Sequence, residues 1–111
     1  LLASSAASDV YKRQNKIYNF KTGYVKTECL QEGWQTSGSL RIVRMAFNLY
    51  CNGTPSVGDY KAEEDQLKEC QYYTVEDLFC CGYARYFWEA IKIRYPEYCF
   101  YKDWEDMYAE N

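Results

Sequence analysis

Two stretches of this chain, 39–50 and 83–95, are apolar around most of the helical circumference, and this constrains the fold more than any other feature. Placed at about 100° per residue, Leu40, Ile42, Val43, Met45, Ala46, Phe47, Leu49 and Tyr50 leave one narrow polar stripe, Arg41, Arg44 and Asn48. In the second stretch, Tyr83, Ala84, Tyr86, Phe87, Trp88, Ala90, Ile91, Ile93 and Tyr95 form a wide apolar arc opposite Arg85, Glu89 and Lys92. A helix apolar on so many sides has to be covered on those sides. The sequence therefore predicts a small all-α, or nearly all-α, helical bundle in which these two helices lie against each other, wrapped by shorter ones. A chain of 111 residues has room for one such core.

Local signals divide the rest. Residues 15–26 read as an extended or irregular entry with a short hairpin around Lys21-Thr22-Gly23. Thr27 is placed to cap a short helix through Glu32, stopped by Gly33. Ser37 or Ser39 caps the first long helix, and Asn52-Gly53 ends it. Residues 60–70 have helical propensity with a thin apolar face, which predicts an exposed helix. Thr74-Val-Glu-Asp77 resembles a capping box opening a helix over 75–81, Gly82 marks a break, and Pro96 closes the second long helix. Phe100, Trp104, Met107 and Tyr108 share one helical face backed by Asp103, Glu105, Asp106 and Glu110, which predicts a C-terminal amphipathic helix over 99–111.

The opening is a different case. The chain starts at Leu1, so a fragment truncated at its N-terminus is expected. Ser4–Gln14 resembles the peptide translated from sequencing-adaptor DNA, so residues 1–14 are expected to be a non-native scar without ordered structure. The rival reading is the tail of a signal peptide, on the small residues Ala3-Ser-Ser-Ala-Ala-Ser8. This leaves 15–98 as the single domain and 99–111 as a variable extension.

Composition narrows the chemistry. There is no His, which removes Ser-His-Asp and Cys-His catalysis, His-ligated metal and His-based pH switching. No apolar run approaches the about 20 residues that span a bilayer, so no membrane partner is expected. A net charge of −3 disfavours nucleic acid, whose non-specific binding rests on phosphate neutralisation. The six cysteines, Cys29, Cys51, Cys70, Cys80, Cys81 and Cys99, contain no C-x-x-C pair. Reduced thiols acting as small hydrophobes are the leading reading, with disulfides, which require secretion, or metal or redox chemistry, the latter at Cys80 or Cys81, as the alternatives. No catalytic residue, metal or cofactor is expected.

Three groups are singled out as candidates. Arg41, Arg44 and Asn48, spaced i, i+3 and i+7, would present hydrogen-bonding groups on one side of a helix, with Trp34 and Gln35 at its N-terminal end. The plainer reading of that stripe is a solvated face paired to acids among residues 63–69. Arg94 falls in the middle of an apolar arc, and either snorkels outward from the last turn or forms a structural ion pair or cation–aromatic contact. The many aromatic residues, 19% of the chain, are expected to be core, or interface anchors where exposed.

Two segments carry a family resemblance: Trp34-Gln-Thr-Ser-Gly-Ser-Leu-Arg-Ile-Val-Arg-Met-Ala-Phe-Asn-Leu-Tyr-Cys-Asn-Gly53, and Tyr73 to Tyr98 with its Phe79-Cys-Cys-x-Tyr-Ala-x-Tyr-Phe-Trp-Glu-Ala-Ile-Lys core. Together they resemble a small family of uncharacterised bacterial proteins, a domain of unknown function met in gut anaerobes and mobile elements. Arg85 stands where that pattern leads one to expect Pro. The resemblance implies a cytoplasmic bacterial or phage setting and brings no activity with it. The expected function is a small non-enzymatic interaction protein, its partner another protein. The alternative is a nucleic-acid-associated accessory factor using an Arg41/Arg44 patch.

Overall fold

The computed structural model describes residues 2–100, with side chains from residue 6 onward. The expected C-terminal amphipathic helix lies, from residue 101 on, outside the described residues. Within them the chain is all-α. In order come α1 (Leu2–Lys12), α2 (Gln14–Ile17), a 3-10 turn (Thr27–Gln31), α3 (Ser37–Cys51) and a 3-10 turn (Val57–Asp59), then α4 (Glu63–Gln71), α5 (Val75–Phe79), α6 (Ala84–Arg94) and α7 (Pro96–Cys99).

Helix α3 is the axis of the molecule. Its N-terminus is fixed by Thr36, one residue earlier than the sequence suggested. The Thr36 hydroxyl accepts from the Ser39 backbone N–H at 3.1 Å while the Ser39 hydroxyl accepts from the Thr36 N–H at 2.7 Å. This capping box satisfies two of the donors a helix start leaves open. The C-terminus is set by Asn52, whose left-handed backbone (φ 55°) is one that Asn tolerates better than most residues.

Two apolar clusters pack on different sides of α3. One contains Ile17, Cys29, Leu30, Val43, Phe47 and Tyr73, with Val10, Val25, Trp34, Leu40 and Val57 around it. The other contains Met45, Leu78, Tyr83 and Phe87. The entry segment reaches α3 through a tight turn: Tyr18 bridges Val25, Gly23 takes φ 77°, and the Tyr50 hydroxyl donates to the Gly23 carbonyl at 2.7 Å. Lys26 rather than Thr27 precedes the 3-10 turn that follows, and no side chain caps it.

Residues 2–12, expected to lack order, form α1, with Ala6 packed against the second cluster and Val10 against the first. The physical reason is spacing: Ala6 and Val10, four residues apart, lie on one side of the helix and suffice to lay it on apolar neighbours. Helix α6 also departs from expectation. Phe87 is buried, but Tyr86, Trp88 and Ile93 are 58%, 50% and 80% exposed, so α6 is not enclosed on all sides. Of the two helices expected at the centre, only α3 is wrapped; α6 leans on it along one edge.

Candidate functional site

The polar stripe of α3 does not face solvent. Arg44 is buried, and its guanidinium makes a two-pronged contact with buried Glu69 of α4: Nε donates to Oε1 at 2.7 Å and Nη2 to Oε2 at 3.0 Å. The Tyr72 ring covers the guanidinium at 4.4 Å. Ser56 donates to Glu69 Oε1 at 3.1 Å, and Ser56 and Tyr73 hydroxyls lie 2.7 Å apart. Since the Ser56 proton is directed at Glu69, the Tyr73 phenol is the donor to Ser56. Burial pushes the Tyr73 phenol above its ordinary range, as does the charge of Glu69, so it keeps that proton.

A serine hydrogen-bonded to a carboxylate is the beginning of a nucleophile–base pair. Here it is sealed: Ser56 is 2% exposed, and Glu69 is already committed to Arg44. The network therefore serves the fold. Its value lies in fixing α4 and the 54–59 loop against α3, since removing one partner would leave the other charge buried and unpaired.

The other residues singled out from the sequence are also engaged internally. Arg41 donates from Nε to the Asp77 carbonyl at 2.8 Å and lies 3.8 Å from its carboxylate, tying α3 to the first turn of α5. Gln35 holds the Cys29 carbonyl and accepts from the Ser39 hydroxyl. Asn48 donates to the Gly53 carbonyl at 3.4 Å. Trp34 is half-buried beneath Arg13, 5.1 Å away, and its indole N–H has no partner among the described residues. The cavity of about 480 Å3 beside Arg41 and Arg44 is lined by three cations and three carboxylates, the third cation being Lys68 and the acids Asp65, Glu69 and Asp77. The outward-facing basic patch expected from Arg41 and Arg44 is therefore not formed. The wheel placed both on the right side of the helix but did not reveal that α4 and α5 pack there.

Arg94 reaches back to α3. Its Nε donates to the Leu49 carbonyl at 3.2 Å, Nη2 donates to Asn52 Oδ1 at 2.9 Å, and its guanidinium sits 4.7 Å from the Tyr95 ring. It has no carboxylate partner among the described residues. An arginine amid apolar neighbours here satisfies one carbonyl of the last turn of α3 and the side chain of its cap residue, where a cation is favoured.

The open site lies on the opposite side of α3. Between α3 and α6 runs an apolar groove of about 430 Å3, walled by Ile42, Met45, Ala46 and Leu49 from α3, by Tyr83 at the start of α6 and Tyr86, Phe87 and Ala90 within it, and lined also by Ala7 of α1. It continues past Tyr50 and Ile93 to Arg94. The sequence pointed to these residues as core. No signal in it distinguished an apolar wall left open from one covered.

Among the described residues, no group of three or more Cys, Asp or Glu is placed to hold a metal ion, and no helix is long and apolar enough to cross a membrane. All six cysteines are free thiols. Cys29, wholly buried, has its thiol pushed up to about 12, chiefly by burial and then by Glu32 and Glu28.

Among the described residues, the fold and site thus define a small all-α domain with an internally paired polar network beside a mixed-charge cavity, and an apolar groove between α3 and α6. By sequence the chain matches the model of a family of unknown function (DUF6075) over residues 3–107, and it belongs to that family. No match to the chain is found among curated proteins or among solved structures.

Proposed function

We propose that this chain works without catalysis, by binding another protein, and that the α3–α6 groove is where it does so. The observation that carries the reading is the exposure of apolar side chains along one line: Tyr50, Tyr86 and Ile93 flank a channel whose floor is also apolar. Exposed aromatic and aliphatic anchors beside a groove are the usual receptor for one face of an amphipathic helix. The buried Ser56–Glu69 pair offers no substrate access, and the described residues hold no histidine to serve as a general base. Six unpaired thiols favour a reducing compartment such as the cytoplasm.

Affinity capture from the cells that carry the gene tests this. Ala46→Glu puts a charge on the groove wall at an exposed position, and Arg41→Ala alters the polar side. A specific partner lost with Ala46→Glu and retained with Arg41→Ala supports the reading. A partner indifferent to Ala46→Glu overturns it, and so does capture of none.

A further inference from the structure

Helices α3 and α4 line the cavity of about 480 Å3 with the same spacing. From α3 come Ser37, Leu40, Arg41 and Arg44. From α4 and its C-terminal cap come Asp65, Lys68, Glu69 and Tyr72. Each set runs i, i+3, i+4, i+7, which is one stripe of a helix. Leu30 of the first 3-10 turn, Tyr60 just after the second, and Asp77 of α5 complete the walls. The volume falls within the about 300–1,000 Å3 of small-ligand sites.

The fold commits only part of the charge that lines this cavity. Arg44 and Glu69 answer each other, and Arg41 Nε is taken by the Asp77 carbonyl. Lys68 and Asp65 are both exposed, and neither forms an ion pair among the described residues. The Tyr60 hydroxyl accepts from Gln31 Nε2 at 2.7 Å, and its own proton finds no acceptor among the described residues. A plain anion entering here would meet Asp65 and Asp77, and a plain cation would meet Lys68 and Arg41. A molecule that carries both charges finds an opposite partner for each. Lys68 and Asp65 stand one helical turn apart, about 5–6 Å between Cβ atoms. That spacing suits a ligand whose two charges are separated by a single carbon, and Leu30 and Leu40 offer apolar wall beside them.

We propose that this cavity binds a zwitterionic α-amino acid with an apolar side chain. Lys68 and Arg41 take its carboxylate, with the Tyr60 hydroxyl donating to it, Asp65 takes its ammonium, and Leu30 and Leu40 receive the side chain. The site lies across α3 from the α3–α6 groove and does not depend on that groove binding a partner.

Heteronuclear NMR on the full chain tests the proposal, with L-leucine, L-methionine and L-phenylalanine titrated singly. At least one should give saturable shifts in the amides of 65–72, with Kd below about 1 mM. Its deaminated acid, which keeps only the carboxylate, and its decarboxylated amine, which keeps only the ammonium, should each bind at least about tenfold more weakly. Lys68→Met and Asp65→Asn, both at exposed positions, should each weaken binding by at least about tenfold with the thermal midpoint unchanged, and Lys68→Arg should retain it. Should either midpoint fall, the acid and the amine decide alone. Absence of saturable binding by all three amino acids overturns the proposal. So does equal binding of the acid or of the amine, which would leave a simple anion or cation site. Binding indifferent to either substitution in a folded chain also overturns it. Ala46→Glu on the groove wall should leave amino-acid binding unchanged. Binding lost with Ala46→Glu and kept with Lys68→Met would put the ligand in the groove and overturn the assignment.

Discussion

The two sides of α3 solve opposite problems with the same helix. On one side Val43 and Phe47 disappear under the 3-10 turn and the Tyr73 ring, and even the charge of Arg44 is buried with its hydrogen bonds answered. On the other, Met45 is buried against Leu78 and Phe87, yet Ala46, four residues from Ile42 and Tyr50, lies open beside Tyr86 and Ala90. The charge of Arg44 is buried on the polar side while part of the apolar wall stays exposed, the reverse of what hydropathy alone would arrange. Closure follows the completeness of partners, so an arginine with a bidentate carboxylate can be buried where Ala46, Tyr50 and Tyr86 stay exposed.

The contrast is broken most directly at Glu69. Glu69→Gln should lower stability by about 3–5 kcal/mol, because Arg44 would be left buried without its counter-charge; urea denaturation measures it. The double substitution Arg44→Met with Glu69→Leu should recover most of that loss. If the single change is neutral, Arg44 does not depend on Glu69 for its counter-charge. Phe47→Ala, also on that side, should remove about 3–5 kcal/mol through lost burial and the cavity left behind.

Alkaline titration ranks next. The Cys29 thiol sits at about 12 in the folded chain against an ordinary value near 9. Between those values the unfolded chain releases a proton that the folded chain keeps, so stability present below pH 9 is lost as pH rises, at about 1 kcal/mol per pH unit. Tyr73, raised in the same sense, adds to the loss at higher pH. Denaturation midpoints at pH 8 and 10 check the sign, with Cys29→Ala removing the Cys29 share. At pH 8, alkylation should modify exposed Cys51, Cys70 and Cys80 and spare Cys29 in the folded chain. Thr36→Ala should cost about 1 kcal/mol through loss of the capping box. The smallest effect is expected on the open side: Ala46→Glu should shift stability by less than about 0.5 kcal/mol. A large loss there would mean the groove wall is core after all.

The helical class, the position of α3, its Asn52-Gly53 stop and the short turn before it were all legible from spacing and capping residues. The polar side was half legible. Periodicity put Arg41, Arg44 and Asn48 together, and the acids of 63–69 were named as partners for the stripe. Glu69, one acid among several on a thinly apolar helix, carried no mark of being the buried one. Ser56 and Tyr73 were not visible as its neighbours, because long-range pairing leaves no local pattern. Helix α6 was over-read for a different reason. Tyr86 was counted as apolar, yet its hydroxyl tolerates water, and Ile93 lies just beyond the edge that Phe87 buries. Periodicity gives the angle of a side chain on its own helix; whether anything stands opposite is a property of the whole chain.

The groove between α3 and α6 is bounded by close contacts at both ends. At one end the Tyr83 ring crosses α3 at Gly38 so tightly that a Cβ there would lie 3.1 Å from it. At the other, Asn52 Oδ1 accepts from both Arg94 and the Tyr95 hydroxyl, at 2.9 and 3.1 Å. The two helices are therefore riveted at head and foot, and the slot between them behaves as a fixed gauge rather than a jaw. If the groove admits a partner's side chains as proposed, their girth would be limited, and one too bulky for that gap would have to break one of these contacts to enter.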